Sequence, residues 1–171
     1  MTKAKQISLC AILLALALAL SYLERFIPIQ LVVPLPGFKL GLCNIVTMLV
    51  LCLLPKRYAL LILIPRCVLS AAFGGGITGL AFSLCGGLLA LGCMVMLMKM
   101  SRLSIFGISI AGAAAHNVGQ ILAAMVLLKS VYIAGYLPYL LLVAILTGFL
   151  TGSICAGVLR VLPMAIRGKV Q

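Results

Sequence analysis

Long apolar runs separated by short polar or charged joints set the pattern of this chain. Six runs, about 7–23, 40–54, 58–72, 77–98, 105–128 and 136–159, approach a membrane-spanning length, which is about 20 apolar residues for a helix. They predict an all-α integral membrane protein: six transmembrane helices in a single transmembrane domain, 1–171. The second and third runs are short, so one of them is expected to be tilted, re-entrant or extended into its flanks. Pro65 and Arg66 interrupt the third. Between the first two runs, the outer segment 26–41 carries Pro28, Pro34 and Pro36, which forbid a continuous helix. Apolar backbone of this kind is tolerated where it is buried in protein or lines a cavity. The segment therefore reads either as a lid over an outward-facing site or as a plain structured loop. Gly74, Gly75 and Gly76 mark a turn, without the GK[ST] ending of a phosphate-binding loop. The first run is too long, and too poor in a cleavage signature, to read as a cleavable signal.

Charge fixes the expected orientation. Thirteen Lys and Arg face one acidic residue, Glu24, giving a net charge of +12. The basic residues sit at the ends of apolar runs, which is the footprint of topology rather than of a nucleic-acid face. With the N-terminus inside, Lys3, Lys5, Lys56, Arg57, Lys99, Arg102, Arg160, Arg167 and Lys169 are cytoplasmic, against Arg25, Lys39 and Lys129 outside. That imbalance predicts both termini in the cytoplasm and an even number of spans, in the inner membrane of a bacterial cell.

Composition also narrows the chemistry. The chain is 65% hydrophobic and 8% charged, where a soluble domain carries about 25% charged residues. It contains no Asp and one Glu, so it lacks the carboxylates that hold Mg²⁺ in phosphoryl or diphosphate chemistry. The seven cysteines form no CxxC pair and there is one histidine. That spacing suits no metal site, and the cysteines read as small apolar residues. Neither autonomous catalysis nor a resident cofactor is expected. Without a Walker motif, any ATP-driven role requires a separate ATPase.

The candidate chemistry concentrates in Ile108–Gln120, ISIAGAAAHNVGQ. Gly112, His116 and Gln120 share one helical face, with Asn117 beside them. Gly107, Ala111, Ala115 and Gly119 form a neighbouring stripe of small residues that permits close helix approach. Polar groups at membrane depth are costly, so His116, Asn117 and Gln120 either line a ligand or ion path or pin this helix to its neighbours. Arg66 is the sharpest single residue. It either binds an anionic ligand, for which guanidinium geometry suits carboxylate and phosphate, or pairs with Glu24, or caps carbonyls or snorkels to an interface. Lys39 and Asn44, with Thr47 nearby, stand where they could add to the same outward cavity. On the first helix Ala11, Ala15 and Ala19 form an AxxxAxxxA face, read either as a docking surface or as mere composition. Gly148, Gly152 and Ala156 on the sixth suggest intramolecular packing.

Taken together, GFKLGLCNIVTML, LIPRCVL, FSLCGGLLAL, GISIAGAAAHNVGQ, YLPYLL and TGFLTG resemble the Gx transporter family, also called heptaprenyl diphosphate synthase component I. That family is similar to the substrate-binding S components of energy-coupling factor transporters. The resemblance implies a six-helix S-component-like bundle with a ligand cavity toward the outer side, under the loop after the first helix; the polar residues themselves, Lys39, Asn44, Arg66, His116, Asn117 and Gln120, are the expected holders of a small, anionic substrate. It also implies docking through Ala11, Ala15 and Ala19 onto a transmembrane coupling subunit driven by ATPases. A flavin or an isoprenoid- or quinone-related molecule is the implied cargo. The alternative implied by the second name is a non-catalytic membrane accessory of polyprenyl diphosphate synthesis, since the aspartate-rich motifs of the synthases themselves are missing.

Overall fold

The computed structural model describes residues 2–27, 39–100 and 102–162; the proposed lid therefore lies mostly outside the described residues, as do Arg167 and Lys169. The described residues form six α-helices and no strand: α1 Lys3–Leu23, α2 Asn44–Leu53, α3 Lys56–Ser70, α4 Gly76–Leu97, α5 Ile105–Leu128 and α6 Leu137–Val161. A 3-10 turn, Glu24–Phe26, prolongs α1, and another, Val131–Tyr136, leads into α6. Four stretches are long and apolar enough to cross a membrane: Lys3–Phe26, Lys56–Leu97, Ile105–Leu128 and Val131–Val161. This is a membrane protein.

Local chemistry explains where the helices begin and end. Pro138 stands in the first turn of α6, where no intrahelical N–H is lost. The Ser104 hydroxyl accepts from the Gly107 N–H at 3.3 Å and caps α5. Pro65 does not end α3, which runs on to Ser70. The break comes instead at Phe73 and Gly74, whose backbone leaves the helical region, with φ +104° at Gly74. Beyond it α4 doubles back: a β-carbon placed on Gly87 would lie 3.1 Å from Leu63 and 3.2 Å from the Arg66 guanidinium. The long Lys56–Leu97 stretch is thus a helical hairpin.

The run expected at 40–54 differs most from expectation. Only Asn44–Leu53 is helical, and all ten of those residues are buried. At about 1.5 Å per residue such a helix covers roughly half the hydrocarbon thickness. It is instead ringed by α1, α3, α4, α5 and α6. The start of that run, with Lys39, enters the interior as non-helical chain that turns at residues 42–43 into α2.

The surface, rather than the largely apolar core, departs from that of a soluble domain. Large apolar side chains such as Ile12, Leu61, Val68, Val126, Leu146 and Phe149 face outward, as lipid-facing surfaces require. The interior buries Glu24, Lys39, Asn44, Arg66, Ser83, His116, Asn117 and Gln120. α5 packs most extensively, between α4 and α6. Gly119 lets it touch α4, because a β-carbon there would lie 2.7 Å from both the Cys85 carbonyl oxygen and the Gly86 Cα. Gly148 and Gly152 of α6 lie against Ile110 and Phe106 of α5, so that glycine stripe packs within the chain.

Candidate functional site

The interior polar groups converge on residues 39–43, the chain and turn leading into α2. The carbonyls of 41–43 accept from the first N–H groups of α2, but the remaining backbone groups ahead of that turn need side-chain partners wherever water is scarce. Gln120 of α5 supplies two: the Lys39 N–H donates to its Oε1 at 2.9 Å, and its Nε2 donates to the Lys39 carbonyl at 2.7 Å. Glu24, at the end of α1, accepts the Leu42 N–H through Oε1. Gly41 sits at φ +81°, a conformation that favours glycine. Space demands glycine there as well, since a β-carbon would lie 2.8 Å from the His116 ring and 2.9 Å from the Asn44 amide.

His116 fills a slot between two glycines. Opposite Gly41, a β-carbon on Gly86 of α4 would fall 2.9 Å from the same imidazole. The ring is buried and has no hydrogen bond of normal geometry on either nitrogen. Asn44 Nδ2 is likewise buried and unpartnered.

The charged groups lie on the other side of this segment. Lys39 Nζ donates to Ser70 Oγ at 2.8 Å. Burial pushes the Lys39 ammonium down from its ordinary range, and the Glu24 carboxylate opposes that shift. Arg66 is 2% exposed, so it neither snorkels nor caps a surface. Its bonds, 3.5 Å to Ser21 Oγ and 3.4 Å to Cys67 Sγ, are long or made to a weak acceptor. Glu24 and Arg66 are electrostatic neighbours, but no hydrogen bond joins them. Two cations and one carboxylate are therefore buried together among the described residues. An interior with excess positive charge is costly unless an anion completes it.

Five of the six residues singled out for binding (Lys39, Asn44, Arg66, His116 and Gln120) surround this segment or its charged neighbours. Asn117 faces elsewhere: its Nδ2 donates to the Leu140 carbonyl of α6 at 2.7 Å, tying α5 to α6. Sequence reasoning missed Ser21 and Ser70, as well as the glycine slot around the imidazole. The Gly86-Gly87 pair was the one signal available for that slot. It also placed Arg25 only as an outer charge. Arg25 in fact donates to the Phe73 carbonyl at 2.5 Å and the Ser70 carbonyl at 2.8 Å, satisfying orphan carbonyls where α3 ends. Beside it a cleft of about 390 Å³ is lined by Leu18, Ala19, Tyr22, Arg25, Ser70 and Phe73. Ser70 thus belongs both to this cleft and to the bond with Lys39.

On α1, Leu13, Ala17 and Ser21 face inward, and Ala11, Ala15 and Ala19 are exposed. The small-residue face is therefore not used for packing among the described residues of this chain.

Gln120→Leu tests the Gln120 clamp. It keeps the volume but strips both partners from Lys39, at about 1–3 kcal/mol per unpaired buried group. The expected outcome is a lower melting temperature in detergent, with faster hydrogen exchange at residues 39–43. Unchanged exchange there would mean that the clamp holds nothing.

The family model for heptaprenyl diphosphate synthase component I matches residues 13–158. No curated protein and no solved structure matches the chain.

Proposed function

Since the chain belongs to the heptaprenyl diphosphate synthase component I family, we propose that it is a non-catalytic membrane subunit that binds a small anionic molecule in its buried polar cluster. In this reading both termini are cytoplasmic in a bacterial inner membrane, with five helices crossing it and the half-length α2, together with the chain before it, completing an even number of passages. A separate ATP-driven module, docked on α1, moves the bound molecule. The observation that carries the binding role is the pair of buried cations, Lys39 and Arg66, set against a single carboxylate. In a low-dielectric interior an anionic group supplies the missing charge, and Arg66 is poorly satisfied without one. A flavin or an isoprenoid- or quinone-related acid fits this charge requirement. His116, Asn44 and Gln120 then shape and orient the site, and Asn117 braces it from behind. The docking role rests on the outward-facing Ala11, Ala15 and Ala19, whose small side chains suit close helix–helix contact in lipid.

A second reading is favoured by the family match itself. The protein is then the membrane partner of a separate prenyl diphosphate synthase component and holds its anionic, isoprenoid product. A chain with one acidic residue leaves the metal chemistry to that partner.

Ala15→Leu separates the two. Purified gently from its own membranes, the wild-type chain is expected to retain a transmembrane coupling subunit and ATPases, and Ala15→Leu to lose them, because a bulky side chain blocks close approach. Retention of a soluble prenyl synthase component that ignores Ala15→Leu would replace the transport reading with the second one.

A further inference from the structure

Three charged side chains meet in the interior, yet their hydrogen bonds do not join them to one another. Lys39 bonds to Ser70, Arg66 to Ser21 and Cys67, and Glu24 Oε1 accepts from the Leu42 N–H. Glu24 Oε2 is buried and unpartnered, although Lys39 and Arg66 are both its electrostatic neighbours. A site shaped for a bare anion gains nothing from that oxygen. An ionised carboxylate only accepts hydrogen bonds, and it repels an approaching phosphate or carboxylate.

Two further orphans stand nearby. A β-carbon on Gly41 would lie 2.9 Å from Asn44 Nδ2 and 3.1 Å from His116 Nε2, so both atoms crowd the same face of Gly41, and both are buried with no hydrogen bond of normal geometry. A neutral imidazole offers one donor and one acceptor nitrogen, and an amide offers both kinds of group. Of these orphans, Glu24 Oε2 and the unprotonated imidazole nitrogen call for a donor and Asn44 Nδ2 for an acceptor, so a matching ligand carries donors as well as negative charge.

The geometry points to a ligand that carries N–H donors beside its anionic group, a nitrogen heterocycle or amide-bearing acid. Its anion faces Lys39 and Arg66, and a donor faces Glu24 Oε2. This inference rests on the anion-binding reading and narrows it. A nitrogen-free isoprenoid diphosphate presents acceptors along its whole polar end, and so leaves Glu24 unmatched.

The test is calorimetric titration of the detergent-purified full chain with four probes. Inorganic sulfate and, in mildly alkaline buffer, farnesyl diphosphate carry acceptors only; flavin mononucleotide and orotate carry an anion and ring N–H groups. Wild type, Glu24→Gln and Arg66→Gln are compared, each with its thermal transition recorded. Gln at position 24 keeps an oxygen for the Leu42 N–H. A donor-bearing probe is expected to bind wild type at least about tenfold tighter than either acceptor-only probe, roughly the effect of one charge-assisted hydrogen bond. Glu24→Gln should remove most of that preference, because its amide can turn an N–H toward an anion. If an acceptor-only probe binds tightest, depends on Arg66 and binds Glu24→Gln as well or better, the inference is overturned and anion binding stands. If no probe binds in an Arg66-dependent way, both are overturned. Should Glu24→Gln lose its cooperative melt, the ranking of the four probes on wild type decides alone.

Discussion

Arg66→Met is expected to make the ligand-free protein harder to melt while weakening anion binding on the order of 100-fold, the worth of one or two hydrogen bonds to a charged group. The two effects have one cause. Arg66 is buried, and among the described residues its bonds are long or to sulfur, 3.5 Å to Ser21 and 3.4 Å to the Cys67 sulfur. The desolvation of the guanidinium is therefore poorly repaid. Replacing whole buried ion pairs or triads by apolar side chains of similar volume is often neutral or stabilises by about 1–4 kcal/mol, and removing Arg66, the surplus cation, orphans no opposite charge. Methionine fills the space beside Leu63 and Gly87 and leaves Glu24 with Lys39 as an evenly charged pair. Differential scanning of the purified variant, with and without an anionic probe, checks both halves. A structural brace would behave in the opposite way. If Arg66→Met melted well below wild type, Arg66 would be holding the bundle together rather than waiting for a ligand.

Gly119→Ala is expected to be among the most damaging single-methyl changes in the membrane helices. The added carbon would lie 2.7 Å from the Cys85 carbonyl oxygen and 2.7 Å from the Gly86 Cα. Both are backbone atoms, which cannot rotate away as a side chain can. α4 and α5 would have to separate along the most extensive interface in the bundle, loosening the Gly86 wall of the His116 slot. Overpacking of this kind costs about 1–3 kcal/mol. Gly92→Ala is the matched control on α4, since a β-carbon there meets nothing within 4 Å; it should leave the melting temperature unchanged or slightly raised. Equal melting of the two variants would show that the α4–α5 contact adjusts freely.

Periodicity made part of this arrangement legible. His116 and Gln120 share a face because they are four residues apart, and they do reach the same segment, Gly41 and Lys39 respectively. Asn117 was grouped with them by adjacency in sequence. One residue along a helix is a rotation of about 100°, which turns its side chain to α6. Ala11, Ala15 and Ala19 likewise share a face by their spacing, but the same spacing ending at Gly119 is packed inside, so spacing alone did not tell an exposed face from a buried one. What periodicity does not carry is the identity of distant partners. The Gln120 amide binds backbone, and any residue at position 39 presents the same N–H and C=O. Nothing in the side-chain sequence therefore marks the contact. The burial of α2 was hidden for a related reason. A uniformly apolar run reads the same whether its surroundings are lipid or protein, and only its short length hinted at an interior place. Pro65 misled in the other direction, since it suggested a break that the Phe73–Gly74 kink supplies instead.

The way residues 39–43 are held has a consequence for biogenesis. Their backbone partners come from α1, synthesised earlier, and from Gln120, which follows Lys39 by 81 positions. Until that residue leaves the ribosome, the Lys39 N–H and carbonyl have only solvent, headgroups or chaperones to bond with. α2 then has no finished chamber to enter. The first half of the chain cannot complete its assembly in order of synthesis; it waits near the membrane surface until the second half arrives to close around it.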